Sequence, residues 1–160
     1  MDRRHVQLGR TDRLVHVVSE KMGAEARWAC GRDSLSVYGW PKNILHVKGI
    51  ENSILDLNAT IRPHFAIVDA VTAMEGDGPI MGRPRHLGFI GMGADVVAMD
   101  ATCARIIGLD PRKMPYLNEA GRFLGNLDAR RIQHRGEAPS RYAATFDVLD
   151  HFKNIRLEQS

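Results

Sequence analysis

Cysteine is nearly absent. Cys30 and Cys103 stand far apart in a chain of 160 residues, and no CxxC pair occurs. That spacing excludes a disulfide framework and leaves no zinc or iron–sulfur ligand motif in the chain. Aromatic residues make up only 6%, and none alternates with the arginines, so no stacking platform for single-stranded nucleic acid is indicated. No apolar run is long enough to span a bilayer, and residues 1–13 are polar, without the apolar stretch of a secretory signal. The default expectation is a cytoplasmic protein with no membrane partner. Net charge is also small, at +3, too little to argue for nucleic acid.

What remains is ordinary globular material, 44% hydrophobic and 26% charged. The length suits one domain, able to bury about two thirds of the surface its unfolded chain exposes. Basic residues gather in the second half, from Arg83 and Arg85 through Arg130 and Arg131 to Arg141. Such a bias favours anionic ligands, although a solvated basic face explains it as simply.

Hydrophobic spacing sets the expected elements. Leu14, Val15, Val18 and Met22 predict a helix over 11–22. Ile50, Ile54, Leu57 and Ile61 predict a second over 49–61, stopped by Pro63, with Arg62 pushed toward extended geometry. The unalternating run Phe65-Ala66-Ile67-Val68 predicts a strand over 64–71, covered on both faces and ending near Asp69. Residues 72–86 are rich in glycine and proline and read as a long loop. A second buried strand is expected over 87–92. Asp95 is placed to cap a helix over 96–107, closed by Gly108. A helix over 114–124 with Pro115 in its first turn follows. A strand is expected over 131–134. In the tail, Phe146, Val148 and Leu149 are candidate packing residues. Strands alternating with helices predict an α/β fold with a mostly parallel sheet flanked by helices. The chain divides into a poorly readable segment (1–36), an α/β domain (37–135) and a C-terminal tail (136–160).

The loop after Asp69 concentrates the chemistry. Asp69, Glu75 and Asp77 offer three carboxylates that would hold a hard cation if brought together. Gly76, Gly78 and Gly82 let backbone N–H groups bend toward an anion, and Arg83 and Arg85 add charge. The glycine spacing is not the dinucleotide fingerprint. The bland alternative is that glycine and proline simply permit turns. Asp95 is a second candidate by position, but its own carboxylate would occupy the helix donors that attract an anion. Cys103 lies among apolar residues and reads as a small core side chain.

From Tyr38-Gly39-Trp40-Pro41-Lys42-Asn43 onward the chain resembles the family known as domain of unknown function 362. The likeness runs through Ala66-Ile67-Val68-Asp69, is most specific at Met74-Glu75-Gly76-Asp77-Gly78-Pro79 with Gly82, and continues through Ala98-Met99-Asp100-Ala101 and Gly108-Leu109-Asp110-Pro111 to Tyr116. The resemblance marks Asp69, Glu75, Gly76, Gly78, Pro79, Gly82 and Asp100 as characteristic positions without assigning a reaction. It implies cytoplasmic proteins, some with ferredoxin-type segments that are not visible here. Ala70 stands where the family usually has glycine, and Asp95-Val96 where Asp-Pro is frequent. Typical members are about twice as long, and their lysine- and histidine-containing N-terminal segment is not recognisable in 1–32.

Two functional readings follow. One is an α/β domain that binds a metal or an anionic small ligand at 69–82. The other is an incomplete version of a larger domain, a non-catalytic subunit that acts by association, either as a homo-oligomer or with a partner protein that supplies the missing half.

Overall fold

The computed structural model describes residues 15–19, 47, 49–77 and 81–158, with the backbone alone at 15–19, 50 and 151. Three strands form one sheet in the order β1-β2-β3: β1 (Val15–Ser19), β2 (Phe65–Glu75) and β3 (Arg83–Gly93). Among the described residues three α-helices of more than one residue accompany them: α1 (Ile50–Ile61), α2 (Val96–Ile106) and α3 (Pro115–Phe123).

The sheet is not mostly parallel, which corrects the expected fold class. Its main pairing is the antiparallel hairpin β2-β3, with nine residue pairs from Ala66↔Gly93 to Glu75↔Arg83. Only β1 runs parallel to β2, over five pairs from Val15↔Phe65 to Ser19↔Asp69. The reason is the connection length. Only seven residues, 76–82, separate β2 from β3, whereas a parallel return needs a dozen or more. The expected loop over 72–86 is therefore largely strand. Thr72, Ala73, Met74 and Glu75 extend β2, and Arg83, Pro84, Arg85 and His86 open β3. Proline is tolerated there because β3 lies at the edge of the sheet as described.

The helix expected over 11–22 is also corrected, since Val15–Ser19 is a strand. Three valines in Val-His-Val-Val-Ser favour extended backbone and pairing with β2 over helical spacing. Arg62 is not extended either. It adopts the left-handed conformation (φ 49°) and donates its N–H to the Asn58 carbonyl, closing α1. Residues 131–134 are not a strand; a 3-10 turn at Ala129–Arg131 occupies their start. Apart from 15–19, the poorly readable segment over 1–36 lies outside the described residues.

The helices fare better. Asp95 caps α2 by accepting from the Ala98 N–H at 2.9 Å, and Gly108 past its end has φ 85°. Pro115 occupies the first turn of α3.

The core lies on one face of the sheet. Ala66, Val68, Ala70 and Ala73 point into it from β2, and Ile54, Val97, Cys103, Ile106 and Leu117 meet them from the helices. Small residues on β2 let α2 approach closely. Gly91 and Gly93 on β3 do the same for Met99. The chain's last part belongs to this core. Phe146 and Val148 are buried in it, and the N–H groups of Ala144 and Phe146 donate to the carbonyls of Ile106 and Ile107.

The opposite face carries Ile67 paired with Met92 and Asp69 paired with Ile90. Here the expectation that 87–92 is covered on both faces fails, because Ile90 and Met92 are 60% and 64% exposed. A register break between Ala70 and Thr72 adds Val71, 42% exposed, beside Gly88, whose φ is 79°.

Candidate functional site

The end of the hairpin gathers most of the family-like motif. Glu75 and Arg83 are the last register pair. Gly76 then turns the chain with φ 82°, a conformation glycine adopts without strain. Met81 donates its N–H to the Asp77 carbonyl at 3.0 Å, which tightens the tip. Gly78 lies outside the described residues.

Asp147 of the C-terminal segment reaches this end and is held by three groups. Its N–H donates to Glu75 Oε2 at 3.2 Å, its carbonyl accepts from the Gly76 N–H at 2.9 Å, and its carboxylate accepts from Arg83 Nη2 at 2.7 Å. Arg85 Nη1 stands 3.6 Å from the same Glu75 oxygen. The Glu75 side chain is only 12% exposed. A largely buried carboxylate between a backbone donor and a guanidinium is well satisfied, so the end of the hairpin is electrostatically balanced.

Asp69 is not at a strand end. It sits within β2, six residues before Glu75, and its Oδ1 accepts from the Val71 N–H at 3.1 Å. At about 3.3 Å per residue, that places Asp69 roughly 20 Å from Glu75. Among the described residues no group of three or more His, Cys, Asp or Glu is arranged to hold a metal ion. Asp69, Glu75 and Asp77 are therefore not brought together. The extension of β2 through Met74 is what separates them.

Sequence reasoning passed over Asp147. The alternation Phe146-Asp147-Val148, with both neighbours buried, is the pattern of an extended segment with one face in the core, and it put the aspartate outward.

Asp95 is wholly engaged. One oxygen caps α2 and the other accepts from the Asn126 N–H at 2.8 Å, so the helix start is closed to an anion by its own side chain. Asp100 is 8% exposed and borders a small apolar cavity with Leu55, Val96, Tyr116 and Leu124. The space is about 20 Å³, enough for one water molecule.

The basic half of the chain resolves into local pairs. Arg130 Nη2 lies 2.8 Å from Asp128 Oδ2, and Arg112 lies 3.9 Å from the other oxygen. The side-chain hydrogen bond from Arg130, followed by its backbone N–H, lowers the Asp128 carboxyl to about 2. Burial, followed by the field of Arg112, holds Arg105 below its ordinary value.

The chain belongs to the family described as Domain of unknown function (DUF362), whose model matches residues 14–105. It is 36% identical over 64 residues to the thylakoid-associated protein sll1697 of Synechocystis sp.. That stretch is 40% of this chain and 20% of the relative's length. No solved structure matches. No helix among the described residues is long and apolar enough to cross a membrane.

Proposed function

We propose that this chain works by association, laying the outer face of its sheet against another polypeptide. The observation that carries the reading is the exposure of Ile90, Met92 and Val71 on the face turned away from the helices. An antiparallel sheet with one solvated face normally alternates apolar inside with polar outside. Here Val71, Ile90 and Met92 break that rule around one polar residue, Asp69, with Ile67 half-buried beside Met92, and exposed apolar surface of this kind marks an interaction site. The test is the binding of a dye that reports exposed apolar surface. Val71→Lys with Met92→Lys should cut the dye signal of the full chain several-fold while leaving cooperative unfolding intact. An undiminished signal in a folded double variant would remove the reading.

A second reading, an anionic small ligand at the end of the hairpin, draws on Arg83 and Arg85. Both guanidiniums are substantially exposed at one end of β3. Glu75 lies 3.6 Å from Arg85, and Gly76, Asp77, Gly78 and Gly82 adjoin in sequence. Titration with inorganic phosphate, followed by amide shifts of Gly76 and Arg83, tests it. No saturable shift, or one unchanged in Arg85→Ala, counts against it. The three carboxylates are not gathered, so a metal is not the form of this reading that we advance.

A further inference from the structure

The exposed edge of β3 has a property of its own. Among the described residues, β3 pairs with β2 on one side only, and the backbone groups of 87–93 have no backbone partner outside the hairpin. The other end of the strand is blunted against pairing by Arg83, Pro84 and Arg85; 87–93 carries neither charge nor proline, and its one irregularity is Gly88 at the register break. It reads Leu-Gly-Phe-Ile-Gly-Met-Gly, and about Ile90 this run is complementary in size to its own reverse. Leu87 stands opposite Gly93, Gly88 opposite Met92, and Phe89 opposite Gly91.

We infer that β3 is the site at which a second copy of this chain pairs, antiparallel, with its two-fold axis at Ile90. The inference goes beyond the outer-face reading: it concerns the edge of the sheet and leaves that face uncovered. A two-fold contact is self-complementary, so each residue that faces a different one is faced by it in return. In this register Met92 of each copy covers Gly88 of the other on the outer face, and Phe89 lies beside Gly91 on the inner face. Ile90 meets Ile90. No bulky side chain opposes another except at the axis, where two isoleucines on one face make a favourable cross-strand pair. Charge agrees with size. Like charges are kept apart, since the two copies of Arg85 lie about 34 Å from each other along the strands, at 3.4 Å per residue. The two hairpins become one sheet, and the apolar strip of Ile67, Ile90 and Met92 runs on across the joint.

Site-specific cross-linking in the full chain tests the register. In a Cys30→Ser background, Ile90→Cys places two thiols across the axis, with α-carbons roughly 4.5–5.5 Å apart, within disulfide reach. Met92→Cys places them about 13 Å apart or more. Under mild oxidation Ile90→Cys should form a covalent dimer at least about tenfold faster than Met92→Cys. Sedimentation of the unmodified chain should show a dimer, and Ile90→Lys, which sets two like charges on the axis, should raise its dissociation constant at least tenfold without loss of cooperative unfolding. A monomer at every concentration tested overturns the inference. So does a dimer that Ile90→Lys leaves intact, or one in which the two cysteine variants cross-link equally fast. None of these outcomes touches the dye measurement, so the outer-face reading stands or falls separately.

Discussion

The carboxylate of Asp95 occupies the space a side chain on Gly125 would need. A methyl group built there would overlap Asp95 Oδ1 and press within 2.9 Å of Val97 Cβ. This closeness lets Asp95 cap α2 with one oxygen and accept the Asn126 N–H with the other, joining the start of α2 to the chain leaving α3.

Gly125→Ala should therefore cost about 1–3 kcal/mol, the range for forcing a methyl into packed space. Asp95→Ala should cost about 1 kcal/mol through loss of the cap. The double variant should lose less than the sum, because removing the carboxylate relieves the worst overlap. Urea unfolding of the three variants checks this, and strict additivity would show that the two residues do not share the space.

At the end of the hairpin, two substitutions with similar contact lists should differ sharply. Glu75→Ala removes a carboxylate that is only 12% exposed, accepts the Asp147 N–H and faces Arg85, and should cost about 1.5–3 kcal/mol, the range for hydrogen bonds to charged groups. Arg83→Ala removes a pair whose side chains are 68% and 58% exposed, and should cost less than about 1 kcal/mol. Equal losses in chemical denaturation would mean that the surface pair matters more than its exposure allows.

Asp128 sets an acid limit. Its carboxyl is lowered from 3.8 to about 2, first by the Arg130 side chain. A lowered folded value means that the contribution is present above the unfolded value near 4. It is lost as pH falls from there toward 2. A carboxyl-detected NMR titration should place the Asp128 midpoint near 2 in the native chain and closer to 3.8 in Arg130→Gln. An unmoved midpoint would contradict the assignment to Arg130.

The helices were readable because their signals are local. Ile54 and Leu57 on one face of α1, Asp95 before α2 and Pro115 opening α3 each act within a turn or two of where they stand. The strands were harder. Thr72, Ala73 and Met74 lie among glycines and prolines and resemble loop, yet Ala73 is core, which only the packing of α2 and the C-terminal segment decides. The valines of 15–18 fit a helical spacing and a strand equally well, and the choice is made by β2, fifty residues later. The candidate site suffered from the same error. Once β2 was read as ending at Asp69, Glu75 and Asp77 seemed close to it, whereas the extra strand length carries them away. Asp147 had no local signal beyond the two buried residues beside it.

The parallel pairing of β1 with β2 has a consequence for how the chain reaches this form. Val15 can meet Phe65 only after a loop of some fifty residues has closed, whereas β2, β3 and α2 follow one another directly. Closing a long loop costs entropy before any contact repays it, so local pairings form early and distant ones late. The hairpin and α2 are expected to assemble first, with the β1 side of β2 open until last. Until then β2, later the central strand, is itself an open edge of the nascent sheet.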